Sequence, residues 1–117
     1  MPSRKDRIGA YFDGFRESDH EKILALLTED VVWDIYGHRR LEGKEAFGGE
    51  IENAGLVGSP ELIVDRLIEE GNTISVPHLG KVEGSDGGRF SFAATSVFTI
   101  DGNLISDVES YDVPIQT

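Results

Sequence analysis

FTIDGNLISDVESYD, residues 98–112, decides how the second half of the chain is built. Asp101-Gly102 has the composition of a two-residue hairpin turn between two extended runs. Read that way, it sets Phe98 opposite Ile105, Ser96 opposite Asp107, Ala94 opposite Glu109 and Phe92 opposite Tyr111. Beyond the turn, Leu104, Ser106, Val108 and Ser110 alternate with Ile105, Asp107, Glu109 and Tyr111. Neither set is cleanly apolar. Two carboxylates share a face with an isoleucine and a tyrosine, an arrangement that a dry core does not tolerate.

Working upstream, RFSFAATSVFTI, TISVPHLGKVE and ELIVDRLIEE are separated by SDGG and by Gly71-Asn72. This pattern predicts an antiparallel meander of four strands from Glu61 onward. A two-residue turn at Gly71-Asn72 sets Leu67 opposite Val76 and Asp65 opposite His78. One face then gathers Phe90, Phe92, Phe98, Ile74, Val76, Ile105 and Tyr111. The other carries Ser75, Ser91, Thr95, Thr99, Ser106 and Ser110, with Leu79, Val97, Leu104 and Val108 interspersed. The first half reads differently. Ile8, Tyr11, Phe12 and Phe15 fall at i, i+3, i+4 and i+7, an aromatic stripe on a first helix. Ser18 and Glu21 have capping-box spacing and predict the start of a second helix carrying Ile23 to Leu27. VVWDIY (31–36) reads as a strand, Lys44 to about Asn53 as a third helix with Phe47, Ile51 and Ala54 on one side, and AGLVGSP (54–60) as a loop. His38, Arg39 and Arg40 read as a solvated loop. Helices first and sheet afterwards is an α+β arrangement in one domain, residues 1–117, with the helices on one face of a curved antiparallel sheet.

Composition narrows the function classes. A net charge of −11 repels phosphate backbones and anionic lipid heads, so neither a nucleic acid nor a membrane is expected as partner. The chain has no cysteine, which excludes thiol chemistry, and no apolar run long enough for a signal or a membrane span. A cytoplasmic location is expected. His20, His38 and His78 are scattered without metal-ligand spacing, so no metal and no cofactor is expected.

The succession YFDGFRESDHEKILALLTEDVVWDI, LEGKEAF, IEEGNTISV and SVFTIDGNLISDVESYD resembles the SnoaL-like and ketosteroid-isomerase-like branch of the nuclear transport factor 2-like superfamily, over roughly residues 5–113. The resemblance implies a cone-shaped α+β barrel enclosing a pocket, a fold that hosts isomerases, polyketide cyclases, dehydratases, epoxide hydrolases and non-enzymes. It also implies residue roles. Tyr11 matches the first-helix tyrosine that ketosteroid isomerases use as an oxyanion donor. Their general-base aspartate falls at Ile35 and their protonated aspartate at Ser96, so two of the three groups are lost. SnoaL-like cyclases use a pocket aspartate, for which Asp107 is the counterpart. Limonene-type epoxide hydrolases need an arginine deep in the sheet, for which the sheet offers only Arg66 and Arg89.

These readings lead to one expectation of the site. Asp107 is the acid/base, His78 (oriented by Asp65) a second proton-transfer group, and Tyr11 a hydrogen-bond donor. Phe15, Trp33, Ile35, Asp65, Phe92, Ser96, Phe98, Glu109 and Tyr111 are expected to line the pocket. The expected activity is proton-transfer chemistry on a small apolar or neutral, polyketide-like molecule, in the manner of an isomerase, cyclase, dehydratase or hydrolase. The alternatives are a non-enzymatic ligand-binding or dimerisation domain, and a limonene-type epoxide hydrolase. The outer sheet face is expected to form a homodimer.

Overall fold

A computed structural model of the protein describes residues 3–52, 56–84 and 88–115. Helix α1, Arg4–Arg16, begins at a reciprocal cap in which Ser3 Oγ accepts from the Asp6 amide and Asp6 Oδ2 accepts from the Ser3 amide. That contact holds the Asp6 carboxyl below its ordinary pKa. The stripe closes as read, with Ile8, Tyr11 and Phe12 buried. Helix α2, His20–Leu24, is capped by Asp19 rather than by the Ser18–Glu21 box: Asp19 Oδ1 accepts from the Lys22 amide. Ser18 instead takes a positive φ of 53° to turn the chain between the helices. Helix α3 is Lys44–Glu52.

The strands are β1 (Leu27–Ile35), β2 (Arg39–Glu42), β3 (Leu56–Val64), β4 (Ile68–Glu70), β5 (Thr73–Gly84), β6 (Arg89–Asp101) and β7 (Leu104–Ile115). They form one curved, unclosed sheet in the order β2-β1-β7-β6-β5-β3, with β4 also pairing β5. The sheet is mixed rather than wholly antiparallel, because β1 runs parallel to β7. Arg39 and Arg40, expected as loop, belong to a polar edge strand over 39–42 that pairs with β1, and 56–60, also expected as loop, is strand. Residues 53–55, and 85–87 where a turn was expected, lie outside the described residues. The helices cover the inner face, and Ile8, Phe12, Ile23, Leu27, Phe47 and Phe98 form much of the core between the layers. No helix among the described residues is long and apolar enough to cross a membrane.

Two register details overturn expectations and decide what reaches the pocket. The turn is Gly102-Asn103, one residue later than read: Asp101 pairs with Leu104 and Ile100 with Ile105, a shift of two in the pairing that leaves the faces unchanged. On the next step, however, Thr99 pairs with Asp107, leaving Ser106 as an extra residue on β7. Its hydroxyl lies 3.3 Å from the Thr99 carbonyl oxygen and 3.2 Å from Asp107 Oδ2. Every later side chain of β7 is reversed. Val108 and Ser110 face inward, whereas Asp107, Glu109 and Tyr111 face out. The physical reason is burial: the bulge lets Ile105 and Val108, three residues apart, both fall to 1% exposure or less. A regular strand would instead have put Asp107 and Glu109 against the apolar layer, where each unpaired carboxylate costs several kcal/mol. The second detail lies beyond the Gly71-Asn72 turn. Pairing starts as expected with Glu70 opposite Thr73, but the chain leaves the ladder at 65–67 and rejoins with Val64, not Asp65, opposite His78.

Candidate active site

Between α1, α3 and the inner face of the sheet lies a cavity of about 530 Å³, within the range of small-molecule sites. Successive rows of paired residues make its floor. One row is Val76, Ser96, Ser110 and Ile35; the next is Val64, His78, Ala94 and Asp112; the third runs through Leu62, Gly80 and Phe92. The walls are aromatic: Tyr11, Phe12 and Phe15 from α1, Trp33 from β1 and Phe92 from β6. Phe92 sits where it does because Gly80 has no side chain, and its ring lies over that backbone.

His78 is buried, with its ring edge-on to Phe12 at 5.0 Å and to Phe92 at 6.2 Å. Its Nδ1 lies 2.9 Å from the Val76 carbonyl oxygen. A carbonyl can only accept, so Nδ1 carries the proton, and in the neutral ring Nε2 is the basic atom. Tyr11 is buried between Phe15 and Phe98, each at 5.0 Å. Burial pushes its hydroxyl well above the ordinary phenol range, so it stays protonated and keeps a proton to donate. Trp33 stacks on Phe47 at 4.4 Å and donates from Nε1 to Ser110 Oγ at 2.9 Å. The Ser110 hydroxyl, having accepted, keeps its own proton for another acceptor. At the mouth Arg39 and Glu50 form an ion pair at 3.2 Å beside His38 and Asp112.

Of the residues singled out from the sequence, Tyr11, Phe15, Trp33, Ile35, His78, Phe92 and Ser96 come together on this cavity. Phe98 is fully buried beneath Tyr11 and belongs to the core. Asp107, Glu109 and Tyr111 are carried to the outer face by the bulge, where Tyr111 donates to Glu109 at 3.1 Å and stacks on Tyr36 at 4.8 Å. Asp65 is an exposed partner of Arg66 and cannot orient His78. Arg89 is exposed at the start of β6, so among the described residues the arginine at the cavity is Arg39, at its mouth rather than in its floor. Sequence reasoning missed Phe12, Leu62, Val82, Ser110 and Asp112 as lining residues, along with the mouth residues His38, Arg39 and Glu50. The spacing of Ile105 and Val108 was the available signal for Ser110 and Asp112, since both can be buried on one strand only across a bulge. Among the described residues no three His, Asp or Glu side chains are placed to share a metal ion.

Solved structures share this architecture. An LEH-like epoxide hydrolase from M. tuberculosis superposes with a TM-score of 0.83 at 20% identity, covering 94% of this chain and 82% of that one. An NTF2-like protein from Burkholderia pseudomallei gives 0.86 at 18% identity, covering 95% and 91%. TerC, co-crystallised with polyporic acid, gives 0.80 at 22% identity, again covering 95% and 91%. At these identities the likeness is one of fold. No curated protein matches the sequence significantly. The model of the SnoaL-like domain, by contrast, matches residues 8–108, from the aromatic stripe of α1 through the bulge of β7, and the chain belongs to that family.

Proposed function

We propose that the protein is an acid/base enzyme acting on a small molecule with an apolar body, with His78 as the proton-transfer group and Tyr11 as the donor to a developing oxyanion. One observation carries the reading: the Val76 carbonyl fixes the His78 tautomer, so a basic Nε2 is presented at an aromatic cavity that also holds a protonated tyrosine. A substrate carbonyl accepts from Tyr11 Oη, and His78 Nε2 removes a proton from the adjacent carbon. The electron pair moves toward the oxygen, where the Tyr11 hydrogen bond strengthens. The imidazolium then returns the proton to the same or a conjugated carbon, giving exchange or isomerisation. Asp107 has no part in this, because it lies on the other face of the sheet.

The test is α-proton exchange of 2-tetralone in D₂O, followed by NMR. The wild-type protein should accelerate exchange over buffer. His78→Gln should lower that acceleration by about 10²–10⁴-fold, and Tyr11→Phe by about 10²-fold, with circular dichroism confirming that both variants fold. A wild-type rate equal to buffer, or a His78→Gln rate equal to wild type, overturns the proposal.

A further inference from the structure

We infer that the cavity takes ligands with a positive charge at one end of an apolar body, a small hydrophobic amine or quaternary ammonium, and that Asp112 is the counter-ion. The inference deepens the proposed function, because it concerns the same cavity. Asp112 lines the cavity, yet its carboxylate has no hydrogen bond or ion pair to any described residue. Among the described residues, the arginine at the mouth is Arg39, already engaged by Glu50. The mouth therefore holds a carboxylate with no ion pair to any described cation. The net charge of −11 adds a field that concentrates cations there.

The walls point the same way. The faces of Phe12, Phe15, Trp33 and Phe92 are the negative ends of aromatic quadrupoles and attract a cation within about 6 Å. The floor supplies the distance. His78 and Asp112 occupy one transverse row on β5 and β7 with only Ala94 between them, so their Cα atoms are two strand spacings apart, on the order of 10 Å. Ala94 leaves that interval open. A ligand whose nitrogen rests against Asp112 lays a ring's width of apolar body across Ala94 and brings a carbon to His78. One end fixes the molecule and the other is processed.

Trp33 is the single tryptophan of the chain and stands in the cavity wall, so its fluorescence reads binding directly. The probes are phenyltrimethylammonium and its uncharged isostere tert-butylbenzene, titrated into wild type and Asp112→Asn at low salt. The cation should bind wild type, and Asp112→Asn should weaken it about fivefold or more while leaving tert-butylbenzene within twofold. Raising the salt should weaken the cation alone. Equal losses for both probes, no loss for the cation, or binding of tert-butylbenzene without the cation overturns the inference. If neither probe binds, the cavity is not a ligand site, and the proposed function falls with it. If the cation binds as described but 2-tetralone does not exchange, the ligand class stands and the proton-transfer role of His78 fails.

Discussion

At Gly80 a single methyl group would meet the Phe92 ring, since a Cβ built there lies 2.1 Å from Cζ and 2.5 Å from Cε1. No real Cβ contact is that short, so the ring would have to swing away. Its neighbours on the inner face are His78, edge-on at 6.2 Å, and the open cavity. The glycine is thus a determinant of the site although it has no functional group. Gly80→Ala should cost about 1–3 kcal/mol, as overpacking does, and should push the ring into the cavity. Thermal denaturation measures the first effect, and the loss of tert-butylbenzene quenching of Trp33 the second. A variant that melts like wild type and binds the probe equally well would show that the ring moves outward at little cost. His78 and Tyr11 are residues whose type could be read from the sequence, because a buried imidazole or phenol needs a partner wherever the fold puts it. Phe98 shows the limit of that reading. Core and pocket wall draw on the same side chains, and only its position beneath Tyr11 assigns it to the core.

Elements announce themselves where local chemistry leaves few options. The stripe of α1 was legible because four apolar residues share one helical face. The two hairpin turns were legible because Gly71 and Gly102 take positive φ, 61° and 63°, although the second, Gly102-Asn103, lies one residue later than read. Strand β2 was not, since Arg39, Arg40 and Glu42 form a polar edge that is charged in the way exposed edges are. The β7 bulge was hidden for another reason. It adds a residue without any compositional mark, and the turn before it is regular, so two-residue alternation ran on one position too far and turned Asp107, Glu109, Ser110 and Tyr111 to the wrong faces. The bulge is a device of the fold and can be removed. Deleting Ser106 would let Asp107 follow Ile105 directly in regular pairing, with Ile105 and Val108 still inward and Asp107 and Glu109 still outward. The deletion should therefore cost only about 1 kcal/mol, the loss of the hydroxyl contacts. Ser106→Gly keeps the residue count and loses the same contacts, so it should cost a similar amount. Urea denaturation measures both. A deletion variant several kcal/mol less stable than Ser106→Gly would mean that burial of Val108 does not hold the register.

Across the whole molecule, the outer face of the sheet is the surface without a layer over it. Ile63, Leu79, Ala93 and Val113 pair in one transverse row across β3, β5, β6 and β7, and Ile63, Leu79 and Val113 are 54%, 48% and 63% exposed. The neighbouring rows through Ser75 and Val97, and through Pro77 and Thr95, are uncharged on β5 and β6. Asp107 and Glu109 on β7 and the Glu61–Lys81 pair flank this uncharged centre, so a second copy meets the apolar row first. A two-fold axis near Ala93 would lay the Ile63 end of one row on the Val113 end of the other, a self-complementary contact of the kind that closes at two subunits. The expected state is a homodimer, measured by sedimentation velocity at tens of micromolar, on the order of concentrations at which typical weak dimers persist. Leu79→Lys puts a charge at the centre of the row and should give a monomer with an unchanged circular dichroism spectrum. Because the row lies on the opposite face from the cavity, the same variant should bind phenyltrimethylammonium as wild type does. A wild-type chain that sediments as a monomer at such concentrations leaves the face as an ordinary solvated sheet surface, which antiparallel sheets often present.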